Sequence, residues 1–87
     1  MKVSQVNRSV INLLRYLSDD GELLIKKRPH IKVTGKFQGI KRVLTLCHSP
    51  MESYYEREIR SIVRRFIEPM NLDDKTIKKI NKKFIQI

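Results

Sequence analysis

Between Ser4 and Ser18 the apolar residues fall at Val6, Val10, Leu13, Leu14 and Leu17. Steps of three and four put them on one face of a helix of about four turns, because helical side chains come round every 3.6 residues. Ser18-Asp19-Asp20-Gly21 then supplies turn formers and a glycine suited to a left-handed stop, so the helix is predicted to end there. Beyond this point the spacing changes to two. Leu23, Leu24 and Ile25 lie in a short segment from Glu22 to Lys27, and Ile31 and Val33 alternate with His30, Lys32 and Thr34 as in a half-buried strand. Pro29 separates the two segments. It cannot donate to a sheet ladder and it disfavours helix at Arg28, so the pair marks a tight basic corner between two strands. Gly35-Lys36-Phe37-Gln38-Gly39 is bounded by glycines and reads as the loop of an antiparallel hairpin whose second arm is Ile40 to Cys47.

The helical period then returns. Ser49 with Glu52 three residues later is a capping box, and Pro50 takes the first helical position, where its missing N–H costs nothing. Tyr55, Ile59, Ile62, Val63 and Phe66 form the inward stripe of this helix, and Pro69 stops it. A last segment starts near Asp73-Asp74, acids placed where a helix N-terminus favours them, and carries Ile77, Ile80, Phe84 and Ile87 at three- and four-residue steps. The predicted fold is a single α+β domain: helix, three-stranded antiparallel sheet, helix, with residues 1–69 as the basic α-β-β-β-α body and 70–87 as a Lys-rich C-terminal amphipathic helix.

Length and composition agree with one folded unit. Eighty-seven residues make one domain, and a hydrophobic share of 40% is too high for a disordered chain. Charge alters the picture most. Lys and Arg number 19 against 9 Asp and Glu, a net +10. Residues 22–46 hold Lys26, Lys27, Arg28, Lys32, Lys36, Lys41 and Arg42 against Glu22 alone, whereas the charges of residues 47–69 cancel. The excess sits on the sheet. A concentration of this kind favours a polyanionic partner, since each cation placed on a phosphate releases condensed counterions. Cys47 is the sole cysteine and cannot form an internal disulfide, which fits a reducing, cytoplasmic setting. No Cys/His spacing suggests a metal, nothing calls for a cofactor, and no stretch approaches the roughly 18 apolar residues of a membrane span.

Several residues are candidates for chemistry. His30, set among cations, can serve as general base on a ribose 2′-hydroxyl while its neighbours stabilise charge building on phosphorus. His48 can partner it, although a histidine before a helix cap is more often a turn residue. Lys32 shares strand parity with His30, and the hairpin brings Lys41 or Arg42 alongside, so Lys26, Lys27, Arg28, Lys32, Lys36, Lys41 and Arg42 form the predicted nucleic-acid contact set. Phe37, at the tip of the expected loop, is a candidate for stacking on an unpaired base. Arg57, Arg60 and Arg64 share a helix with Glu52, Glu56, Glu58 and Glu68, and intrahelical pairing accounts for them.

Gly21-Glu22-Leu23-Leu24-Ile25-Lys26-Lys27-Arg28-Pro29-His30-Ile31 resembles the first strand of HicA-type toxin domains and the histidine that follows it. Lys41-Arg42-Val43-Leu44-Thr45-Leu46-Cys47-His48-Ser49 is similar to their last strand and turn. The likeness spans about residues 5 to 68 and implies a compact relative of the double-stranded-RNA-binding fold. It also implies messenger-RNA cleavage dependent on the histidine, here His30, and an antitoxin that covers the basic face. The family has glycine and a small hydroxyl residue before that histidine, and this chain has Arg28-Pro29. A bulky cation and a locked ring there favour phosphate binding over cleavage.

The leading expectation is therefore a basic nucleic-acid-binding protein, with RNA ahead of DNA. A HicA-like, metal-independent endoribonuclease stands second. Third is a phage-type protein that inhibits a host factor by contact through the arginine-bearing helix or the Ile77-Ile80-Phe84-Ile87 stripe, a stripe that would also permit homodimerisation through the C-terminal helix.

Overall fold

The first helix shows how sequence period becomes packing. In a computed structural model that describes residues 3–46 and 52–87, helix α1 runs Val3–Leu17, and Val6, Val10, Leu13 and Leu14 are all buried. Its end is closed by local hydrogen bonds: the Ser18 N–H donates to the Leu14 carbonyl (2.9 Å) and the Ser18 hydroxyl to the Arg15 carbonyl (3.1 Å). Strands β1 (Leu24–Lys26), β2 (Ile31–Phe37) and β3 (Ile40–Leu46) follow, paired antiparallel in the order β1-β2-β3. Helix α2 (Glu52–Ile67), a 3-10 turn at Glu68–Met70 and helix α3 (Asp74–Lys83) complete the chain. The layout is the expected single α+β domain. The capping box at Ser49, with Pro50, Cys47 and His48, lies outside the described residues.

One face of the sheet builds the core. Val33, Phe37, Leu44 and Leu46 pack under α1 and α2 with Tyr55, Ile59, Val63 and Phe66, and the Phe37 and Phe66 rings meet edge-to-face at 5.2 Å. Such a pair contributes about 0.5–1.5 kcal/mol beyond its burial. The Tyr55 hydroxyl donates to Asn7 Oδ1, linking α2 to α1 within the apolar layer.

The hairpin differs from the expected one. Lys36 and Phe37 are not loop but strand: β2 continues to Phe37, and the connection is only Gln38-Gly39, both with positive φ (53° and 80°). This is the two-residue turn that matches the twist of its flanking strands. Gly35 lies inside the strand because there is no room for a side chain; a Cβ would fall 2.8 Å from Leu23 Cδ2 and about as close to the Phe37 ring. Phe37, expected at a loop tip, is buried as a result. The turn is also tied to α1. The Asp19 carboxylate accepts from the Gln38 and Gly39 N–H groups (2.9 and 2.8 Å), and the Asp19 N–H donates to the Lys36 carbonyl (2.8 Å).

Helix α3 begins where the acids predicted. Asp73 is its N-cap and accepts from the Thr76 N–H at 2.9 Å. Hydrogen bonds from the Thr76 side chain and backbone hold the Asp73 carboxyl below its ordinary value of 3.8. The apolar stripe, whose spacing fits either docking on the domain or use on a partner, packs on the chain's own core: Ile80 is fully buried, and Ile77, Phe84 and Ile87 are half-buried against the same cluster. Tyr16 of α1 lies 5.4 Å from the Phe84 ring, with the Lys79 ammonium 4.7 Å over its own ring.

Candidate nucleic-acid interface

Strand residues alternate between the two faces of a sheet, so the register decides which cations can act together. Lys26 is opposite Lys32, and Lys36 is opposite Lys41. All four are exposed and stand on the face turned away from the helices. Between the two pairs runs a row made of Leu24, Thr34 and Val43, with Leu24 71% and Val43 52% exposed. Thr45 extends the Lys26-Lys32 row. The outer face is therefore an apolar strip flanked by lysines at both ends, and Lys32 and Lys36 are about 13 Å apart along β2.

Like charges directly opposite one another across two strands repel. None of the four lysines is ion-paired among the described residues, and no strand residue is acidic. The two ends are not equivalent. Asp20 and Glu22 border the depression of about 370 Å³ beside Lys36 and Lys41. At the other end, Lys26 and Lys32 adjoin the turn of residues 27–30, where Lys27, Arg28 and His30 are exposed.

The expected contact set thus divides. Lys26, Lys32, Lys36 and Lys41 share one face, and Lys27, Arg28 and His30 sit at one end of the sheet. Arg42 does not join them. It pairs with Gly35 on the inner face, its guanidinium lies 3.7 Å over the Phe66 ring, and its Nη1 donates to the Phe66 carbonyl at 2.6 Å. This cation serves packing, by a contact that combines a charged hydrogen bond with the negative face of an aromatic ring.

Two arginines join the basic end from residues 1–21, where Lys2, Arg8 and Arg15 against Asp19 and Asp20 leave a net charge of only +1. Arg8 and Arg15, on the exposed side of α1, line a groove of about 440 Å³ with Asn12 and Lys27 over a floor of Ile11, Ile25 and Ile31. Their steps along α1 put Arg8, Asn12 and Arg15 on one helix side, a signal present in the sequence but masked by counting Asp19 and Asp20 in the same segment. Those acids instead cap backbone N–H groups: Asp19 at the hairpin turn, and Asp20 at the Glu22 N–H (3.0 Å).

Among the described residues no three His, Cys, Asp or Glu side chains gather as a metal site, and no helix is long and apolar enough to cross a membrane. The chain matches no protein-family model, and no curated protein or solved structure shows significant similarity to it.

Proposed function

We propose that this protein binds nucleic acid through the outer face of its sheet, with Lys26, Lys32, Lys36 and Lys41 on phosphates. The observation that carries this reading is the pair of lysine-lysine juxtapositions on one open face. Each is a repulsion built into the folded state that a bound polyanion turns into attraction, and the counterions released add to the gain. The apolar strip between them accommodates sugars or base edges. RNA is placed ahead of DNA on the resemblance to HicA-type domains.

Binding measured against salt tests the reading. With four phosphate contacts, log K should fall against log salt with a slope of about −3 to −4, and a flat dependence would remove the phosphate contacts from the account. His30 stands exposed at the same basic end, so a cleavage assay belongs with the binding one. RNA turnover that disappears in His30→Ala would replace binding alone with HicA-like endoribonuclease activity.

A further inference from the structure

The groove beside α1 has a different character from the sheet face. Its floor is three isoleucine side chains, Ile11, Ile25 and Ile31, all half-buried at the margin of the core. Three cations, Arg8, Arg15 and Lys27, surround that floor, and among the described residues no acidic side chain lines it. Arg8 and Arg15 are two turns apart, roughly 10 Å along the helix axis, and Asn12 stands between them with both an amide donor and an acceptor. At about 440 Å³ the groove falls within the usual range of small-ligand clefts.

These features define a chemistry. The occupant has an apolar moiety for the isoleucine floor, negative charge on more than one side of it, and a polar edge within reach of an amide. A nucleotide outside a base stack has all three. A paired base has none of its face available, because its neighbours in the duplex cover it.

The groove adjoins the basic end of the sheet through Lys27, the neighbour in sequence of Lys26. Lys26, the last residue of β1, stands on the outer face, and Lys27, just past the strand, lines the groove. Strand β1 is an edge strand of only three residues, so Lys26 at its end and Lys27 just beyond it stand next to each other between the sheet face and the groove.

We infer that the groove holds an unpaired nucleotide of the same strand whose phosphates meet the lysines, with its base on Ile11, Ile25 and Ile31, its edge toward Asn12 and its flanking phosphates on Arg8, Arg15 and Lys27. This rests on the nucleic-acid reading above and narrows it: the preferred ligand is single-stranded or looped, not a continuous duplex.

The test uses the full chain with ¹³C-labelled isoleucine methyls and two probes, a single-stranded oligoribonucleotide of about eight nucleotides and the same sequence as a blunt duplex. The single strand should shift the Ile11, Ile25 and Ile31 methyl resonances by ring current, and the duplex should leave them in place. Arg8→Gln with Arg15→Gln should weaken the single strand about tenfold, in the range of one stacked base, and the duplex less than about twofold. The variant's own methyl spectrum verifies its fold. Isoleucine methyls unmoved by a single strand that binds, or equal weakening of both probes, overturns the groove assignment and leaves the lysine face standing. If neither probe binds, both readings fall. A short acidic peptide that shifts the same methyls where the oligonucleotide does not would give the groove to a protein partner and overturn the assignment.

Discussion

The outer face of the sheet and helix α3 are both rich in lysine, but their cations stand in different relations to the backbone. On α3, Asp73 and Asp74 begin the helix and Lys82 and Lys83 end it, the order in which charges offset the helix dipole. Lys79 rests over Tyr16, and the remaining lysines splay outward from a cylinder whose apolar side is docked. On the outer face of the sheet no ion pair among the described residues engages the lysines. Lys26 faces Lys32 and Lys36 faces Lys41 from a flat surface where side chains rise in parallel. The five lysines of α3 are thus an accessory of its folding, the four on the outer face of the sheet are opposed to folding, and the proposed binding face rests on that opposition.

The largest expected effect breaks this comparison directly. Replacing Lys26, Lys32, Lys36 and Lys41 together by glutamine should lower nucleic-acid affinity at least about 100-fold at low salt and flatten the salt slope by about 3 to 4. The equivalent replacement of Lys75, Lys78, Lys82 and Lys83 should alter affinity only a few-fold by anisotropy titration. Equal losses would mean that α3 belongs to the interface.

Next in size is the docking of α3. Ile80→Ala removes a fully buried side chain and should destabilise the domain by about 2–5 kcal/mol in urea denaturation. A near-neutral result would mean that α3 is held loosely and its stripe is available to a partner after all. Asp19→Ala leaves the Gln38 and Gly39 N–H groups without their acceptor, and should cost about 1–3 kcal/mol by the same measurement.

A smaller effect has the opposite sign. Lys32→Glu places an acid opposite Lys26 and should stabilise the fold by about 0.2–1 kcal/mol while weakening binding. A loss of stability would show that the lysine pair is not repulsive in place, and would take away the principal support for the binding face. The smallest effect concerns the start of α3. Because the folded Asp73 carboxyl titrates below its ordinary value, its cap contributes fully above about pH 4, and that contribution is lost as pH falls through the lower folded value. Stability of the parent should therefore decline more steeply than that of Asp73→Ala between about pH 4 and pH 2, seen as a narrowing gap between their melting temperatures.

Much of this arrangement was legible in the sequence. The three- and four-residue periods of α1, α2 and α3 translate directly into Val10, Ile59 and Ile80 in the core, since a helix face is fixed by its own spacing. The sheet was harder to read because facing depends on register, and register depends on the turn. Taking Gly35 to Gly39 as loop placed Phe37 at a tip and left Lys41 and Arg42 interchangeable. The two-residue turn at Gln38-Gly39 settles both: Lys41 faces out with Lys36, and Arg42 faces in toward Phe66. Gly35 misleads because its smallness answers to Leu23 and Phe37, side chains that reach it only in three dimensions. The groove was hidden for a related reason, as Arg8 and Arg15 meet Lys27 only through tertiary packing.

The tyrosines give the protein a built-in optical gauge. The chain has no tryptophan to collect their excitation, so tyrosine emission reports tyrosine surroundings. Tyr16 sits at the seam with α3, between the Phe84 ring and the Lys79 ammonium, while Tyr55 is buried and bonded to Asn7 between α1 and α2. Undocking of the C-terminal helix changes the first environment and not the second, so Tyr16→Phe combined with Tyr54→Phe leaves Tyr55 as the one emitter, whose signal follows the α1–α2 layer without α3.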